Sequence, residues 1–310
     1  MARFSRCCST AAAPLVKLSR LPHGLVQLTL NRPSKLNALS LPMFRGIQAA
    51  AKQLLDDKTV RAIVIHGEGR CFCAGLDIRS MASSPLSWNQ NMRELLTRPD
   101  GEISNLAQDV AYLWRRIPVP VIAAVHGVCL GGGFQIALGA DMRIAASKTK
   151  LSIMEAKWGL IPDMSATVTL RELVPKDVAM ELTMTGRVFD SEEALRLGLV
   201  TQVVADPLTR ALDIANAIAA RSPDSTAAAK RLLNATYSEA NDDARALKLE
   251  TALQRKLLLG WNMLACTAKG LGVPPAIQPG FCNRSSEWDV EADEAAEAEL
   301  REMLGDLDES

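Results

Sequence analysis

Two short glycine-containing turns hold the residues best placed to do chemistry: Cys73-Ala74-Gly75-Leu76-Asp77 and Gly131-Gly132-Gly133-Phe134-Gln135. Each follows an apolar run that reads as a buried strand, and the second leads straight into a helix. A missing Cβ lets a ligand approach the backbone closely, and a helix N-terminus presents unpaired N–H donors. Such a place suits an anion or a developing oxyanion. The alternative is tight strand–helix packing, which is the better reading for a lone glycine triplet. Neither turn has the spacing of a dinucleotide fingerprint, and no Lys-Ser or Lys-Thr follows to make a phosphate loop.

A third pattern, Gly127-Val128-Cys129-Leu130-Gly131, has the form of a nucleophile elbow with cysteine at its apex. A hydrolase of that kind needs its histidine after the nucleophile. The chain's three histidines, His23, His66 and His126, all precede Cys129. Cys129 is therefore expected to be a small buried residue. Cys71-Phe72-Cys73 is too closely spaced for a zinc knuckle and reads as packing. Seven scattered cysteines without a CxxC pair argue against a disulfide framework and suit a reducing compartment. No metal or redox cofactor is indicated.

The elements that must position these turns are legible from periodicity. Leu25–Leu30 alternates as a strand and ends at Asn31-Arg32-Pro33; Ser40 stands where it would cap a helix entered through Pro42 and running to about Leu55. Residues 61–66 and 119–125 read as buried strands, 80–100 as a polar loop, and Leu106–Arg116 as a helix. A helix starts at Phe134, and Met142–Ala146 and residues 151–154 are short strands joined by Ser147-Lys148. Past Val204 the pattern turns helical, over 208–221, 225–239 and 242–259. Strand, strand, helix thus recurs, which predicts a layered α/β core over 14–205 and a helical C-terminal region over 206–285. Residues 286–310 form an acidic, alanine-rich tail.

Thirty-five basic and 35 acidic residues balance to zero net charge, so the chain carries no electrostatic footprint for nucleic acid or an anionic membrane. Residues 117–140 lack any charge and are long enough to span a bilayer, but two prolines, His126, Gln135 and five glycines fit a buried strand, a turn and a helix start instead. Residues 1–13 hold Arg3, Arg6, Ser5, Ser9 and Thr10 and no acid, the composition of a mitochondrial presequence.

Several blocks in order resemble the crotonase (enoyl-CoA hydratase/isomerase) superfamily. They are Asn31-Arg32-Pro33 with Asn37-Ala38-Leu39, then Phe72 through Asp77, then Pro118 through Gly127, and then Gly131-Gly132-Gly133 with Asp141. Glu155, Gly159-Leu160-Ile161-Pro162, Thr185-Gly186-Arg187 and Gly198-Leu199-Val200 complete the series, which spans nearly the whole chain after the presequence. The resemblance implies an α/β spiral of ββα units with a helical C-terminal region, assembled as a homotrimer or homohexamer in the mitochondrial matrix. It implies an acyl-CoA thioester substrate, with CoA entering only as part of that substrate. The N–H groups of Leu76 and Gly132 would form the oxyanion hole, and Ala74, Gly75, Leu76, Asp77 and Ile78 would bend around the pantetheine. Lys35 would approach a CoA phosphate, although an exposed lysine beside a turn usually only solubilises.

Family hydratases place glutamates two and twenty-two residues after the glycine triplet. Here those positions are Gln135 and Glu155. An amide neither accepts nor delivers a proton at neutral pH, which compromises two-carboxylate hydration. Glu155 remains as general acid/base, and Gln135 orients a water or the substrate, or is structural. Asp163 stands where dienoyl-CoA isomerases of the family carry a catalytic aspartate; its other reading is an N-cap for the helix starting near Ser165. The resemblance therefore points to an enoyl- or dienoyl-CoA isomerase. A hydratase using Glu155 alone, or a catalytically weak acyl-CoA-binding protein, is the alternative.

Overall fold

The computed structural model describes residues 13–81, 84–237, 243–258 and 260–285. The segment expected to be a presequence, apart from Ala13, and the tail over 286–310 lie outside them. The strands are β1 (Val16–Leu21), β2 (Leu25–Leu30), β3 (Ala62–Gly67), β4 (Val121–Val125), β5 (Val128–Leu130), β6 (Met142–Ala146), β7 (Lys150–Ser152), β8 (Phe189–Asp190) and β9 (Gln202–Val204). A six-stranded sheet runs β1-β2-β3-β4-β6-β9 and a three-stranded sheet runs β5-β7-β8. Only β1 is antiparallel in the large sheet. Strands β6 and β7, read as neighbours in sequence, belong to different sheets, so the turn between them carries the chain from one layer to the next.

The helices are α1 (Leu41–Leu55), α2 (Ile78–Met81), α3 (Pro85–Leu96), α4 (Leu106–Arg116), α5 (Gly132–Leu138), α6 (Ala166–Leu173), α7 (Lys176–Thr185), α8 (Ser191–Arg196), α9 (Pro207–Ala219), α10 (Pro223–Thr236), α11 (Asp243–Leu257) and α12 (Trp261–Gly270). Helix α3 corrects the expected polar loop over 80–100. Ser84 and Ser87 form a capping box, Pro85 sits in the first turn, and Trp88, Met92 and Leu95 pack on the core at helical spacing. Most of its other positions are polar, and Leu86 and Leu96 are apolar but exposed, which blurs the helical period. The sequence pattern also does not predict strands β1, β5 and β8 or helices α7, α8 and α12; β5 has only three residues and β8 two. Ser40 does occupy the N-cap of α1, but its side chain makes no capping bond.

The two faces of the large sheet are covered differently because side chains alternate along each strand. Leu28, Leu30, Ile63, Ile65, Ala123 and Val125 belong to the main apolar core with α1 and α4. Ala62, Val64, Ile122 and Ala124 face the other way, onto α9, where Ala211, Ala215 and Ala219 recur every four residues. Small side chains on that stripe let the helix lie close to the sheet.

One buried cation pins the helical C-terminal region to this core. Lys230 of α10 donates to the carbonyls of Trp114 (2.8 Å) and Val119 (3.0 Å) and pairs with Asp141 at 2.7 Å. All three ammonium donors thus have acceptors, which is the condition for burying a lysine without a large penalty. Burial pushes its pKa down, and Asp141 opposes the shift. The charge-free segment 117–140 resolves into β4, β5 and α5, and no helix among the described residues is long and apolar enough to cross a membrane.

Candidate active site

The first turn is built on the segment before α1. Leu36 and Asn37 both have left-handed φ (52° and 55°), and the Asn37 side chain is fully buried. Its oxygen accepts the Arg32 N–H (2.8 Å), and its amide nitrogen reaches the carbonyls of Glu68, Cys71 and Phe72 at 3.0, 2.9 and 3.1 Å. One side chain therefore sets where the chain leaves β3. Backbone bonds from Ala74 to Leu36, Leu39 to Gly75 and Asp77 to Leu39 then lay the turn alongside residues 36–39. Because the Gly75 carbonyl and Asp77 N–H face Leu39, the Leu76 N–H is turned away from Leu39. Gly75 makes this possible: its φ is +89°, and a Cβ there would lie 2.8 Å from the Leu130 carbonyl oxygen.

Asp77 anchors the far end of the turn. Arg32 donates to its carboxylate at 2.6 Å and to the Ala38 carbonyl at 3.1 Å, and the Ser80 N–H supplies a further bond. Burial works against the ionised form, yet the Arg32 and Ser80 hydrogen bonds prevail and hold the carboxyl below its usual range. The Asp77 side chain thus faces Arg32; any contact with a substrate there falls to the backbone. Lys35 is exposed and acts on Asp77 through its charge.

The second turn is seated by backbone and glycine. The Gly131 N–H donates to Ser152 of β7, and the Phe134 and Gln135 N–H groups return to the Gly131 carbonyl. A Cβ on Gly133 would fall 2.6 Å from Cys73 Cβ and 2.7 Å from its carbonyl oxygen, so α5 starts directly against the first turn. Gly132 lies against Leu39 and Met164, whose sulfur would be 2.6 Å from an added Cβ. At the other end of α5, buried Arg143 donates to the Ala140 carbonyl at 2.6 Å and to Leu199 at 2.8 Å. Burial pushes its pKa down to about 10, which leaves it charged at neutral pH. Neither the Leu76 nor the Gly132 N–H meets an acceptor among the described residues. Two donors on adjoining turns are therefore free.

The carboxylates come from the next layer. Glu155 opens the 3₁₀ turn after β7 and is buried. The Gln135 amide nitrogen donates to Glu155 Oε1 at 2.7 Å, while the Gln135 oxygen accepts the Met164 N–H at 2.9 Å. Glu155 Oε2 is buried without a partner. Burial raises the Glu155 pKa; hydrogen bonds, including that from Gln135, oppose the rise, and the nearby charge of Asp163 adds to it. Asp163 is raised as well, by desolvation, although the residue is exposed. The N-cap of α6 is Ser165, in a left-handed conformation and without a side-chain capping bond. Asp163 is therefore not the cap, and that reading falls.

Cys129 is fully buried beside Cys73, and burial lifts its thiol well above the normal range, so it is no nucleophile. His66 is occupied in the sheet: Nδ1 faces the Gly67 carbonyl, leaving Nε2 to accept from Thr29 at 2.9 Å and Gln27 at 2.6 Å.

A family model described as enoyl-CoA hydratase/isomerase matches residues 20–259. The chain belongs to the enoyl-CoA hydratase/isomerase family. Among its relatives, an enoyl-CoA hydratase of Mycobacterium tuberculosis is 34% identical over 250 residues, 80% of this chain and 90% of its own. The mouse mitochondrial methylglutaconyl-CoA hydratase is 34% identical over 218 residues, 68% of this chain and 66% of that protein. The crystal structure of a probable enoyl-CoA hydratase/isomerase from Mycobacterium abscessus, 31% identical, superposes with a TM-score of 0.72 over 86% of this chain and 99% of that one.

Sequence reasoning assigned no role to Asn37, Arg32, Met164 or Arg143. Asn37 and Arg32 were visible as part of a motif block. Their partners, however, are carbonyls 31–35 residues away and a carboxylate 45 residues away, which spacing cannot reveal.

Proposed function

We propose that this family member moves a double bond along an acyl-CoA, with Glu155 as the proton carrier. The observation that supports it is the asymmetry of Glu155: Gln135 engages one oxygen and the other is free. With the thioester oxygen against the Leu76 and Gly132 N–H groups, ionised Glu155 takes a C2 proton from a 3-enoyl-CoA. The C2=C3 bond forms, the C3=C4 electrons are released through the dienolate, and neutral Glu155 returns the proton to C4. No water is consumed. Two preorganised donors make the C2 proton removable because negative charge gathers on the oxygen they face. For a 3,5-diene the proton returns further along the chain, where Asp163 assists. The reading requires no cofactor beyond the CoA of the substrate.

A second reading, hydration, is favoured by the names of the relatives and by a second carboxyl, Asp163, whose charge is felt at Glu155. The deciding assay offers purified protein crotonyl-CoA on one side and 3-enoyl- and 3,5-dienoyl-CoA on the other. Conversion of the latter without water uptake is expected. Rapid hydration of crotonyl-CoA with no bond migration replaces the isomerase reading, and binding without turnover of either replaces it with an acyl-CoA-binding role.

Mitochondrial placement rests on the composition of residues 1–13 and on mitochondrial relatives in mouse and Dictyostelium discoideum, alongside bacterial ones. A homotrimer or paired trimer is the assembly proposed; exposed Trp158, Ile161 and Met184 offer apolar surface for it.

A further inference from the structure

We infer that Gln135 is a positioning residue that holds Glu155 by one oxygen and ties it to the loop carrying Asp163, so that proton transfer runs through Oε2 alone. The inference deepens the proposed function and rests on Glu155 being the proton carrier.

Two neighbours make opposite demands on residue 135. The buried Met164 N–H needs an acceptor, and Glu155 Oε1 needs a donor. A primary amide supplies both at once, and because the two demands differ, the amide has one orientation only. The side chain is 1% exposed, so water does not substitute for either bond. Glutamate at 135 satisfies Met164 but sets two carboxyl oxygens 2.7 Å apart, where one proton must be shared. Methionine, of similar length, satisfies neither.

The position of the amide matters as much as its chemistry. Gln135 belongs to α5, whose first residue presents the free Gly132 N–H, and Met164 packs its sulfur against that same glycine. One side chain thus connects the oxyanion donors, the base and the Asp163–Met164 segment. With Oε1 held, the Glu155 carboxyl stops rotating, and its partnerless oxygen keeps one direction. A proton carrier gains from that, since it must reach two carbons of one chain from a single position.

The test compares wild type, Gln135→Met, Gln135→Asn and Gln135→Glu in the full chain. The Glu155 carboxyl is titrated by infrared difference spectroscopy, its band identified by loss in Glu155→Gln. This readout needs no substrate, so a failed isomerase assay and a failed inference are told apart. The hydrogen bond from Gln135 favours the ionised form. Glu155 in Gln135→Met and Gln135→Asn is therefore expected to titrate at higher pH than in wild type. In Gln135→Glu the pair should release its protons in two steps, the second higher than the wild-type transition. The acid limb of turnover should move with these shifts. In Gln135→Met, kcat should fall about 10²-fold, as for a misplaced base, with KM little changed. An unmoved Glu155 titration in folded Gln135→Met or Gln135→Asn overturns the inference, as does a KM defect with unchanged kcat. Should the methionine and asparagine variants fail to fold, the two-step titration of Gln135→Glu alone decides.

Discussion

The two turns that carry the Leu76 and Gly132 N–H groups are held in opposite ways. The turn through Leu76 is held by side chains: the Asn37 amide ties its approach, and the Arg32–Asp77 pair closes its end. The turn through Gly132 is held by the absence of side chains, with bare glycine packed on Cys73, Leu39 and Met164 and its N-terminal residue laddered to Ser152. A side-chain latch responds to pH, salt and truncation. A glycine seat responds only to volume. The same chemical demand, a fixed donor, is therefore met by two devices with different weaknesses.

Removing the proposed base while leaving both devices intact gives the reference. Glu155→Gln should cost about 10²–10⁴ in turnover with acyl-CoA affinity mostly kept, measured by steady-state kinetics and calorimetric titration. It should also stabilise the fold at neutral pH. The Glu155 pKa is raised on folding, so the folded state binds more protons than the unfolded one, and stability falls as pH rises through that window. The gain of the glutamine variant should vanish below the unfolded carboxylate range, and denaturant midpoints across pH check it.

The glycine seat should break next. Gly133→Ala drives a Cβ into the Cys73 backbone, which has no flexible end to yield. A displaced donor costs about 10²–10³ in kcat, and the overpacking costs about 1–3 kcal/mol in a denaturation curve.

On the other side, Asn37→Ala leaves buried carbonyls and the Arg32 N–H unmatched. A loss of about 1–3 kcal/mol is expected, with kcat falling less than in Gly133→Ala because the ladder to Leu39 persists. Equal kcat losses in the two variants would erase the distinction between the devices.

The smallest effect belongs to Arg32→Met, which opens a partly exposed ion pair. About 1 kcal/mol or less is expected. The pair's contribution should be present at neutral pH and disappear as pH drops through the depressed Asp77 pKa, since protonated Asp77 no longer attracts Arg32. An identical pH–stability curve in wild type and variant would show that the latch carries nothing.

Much of this architecture was legible in advance. The β-branched runs of β3 and β4 fill both faces of a sheet, so they read as buried strands. The glycines betrayed both turns because close backbone approach leaves no room for a Cβ. What stayed hidden was short or polar. Helix α3 mixes the core-packing Trp88, Met92 and Leu95 with polar residues and with the exposed Leu86 and Leu96, and β5 is a three-residue strand whose ladder to β7 forms only once the layers stack. The capping role open to Asp163 was refuted by backbone angles at Ser165, which no residue pattern encodes.

The sequence alone determined which groups are present: bare glycines at two turns, one glutamate with an amide twenty residues earlier, and apolar runs of the length that strands need. Those are properties of composition and spacing along one dimension. The tertiary structure decided which of them meet. Whether Gln135 engages Glu155, which oxygen is left free, and which N–H groups lack partners all depend on contacts between layers. Such contacts follow from the packing of the whole core, because hydrogen bonds form between groups that burial brings together, however far apart the chain holds them.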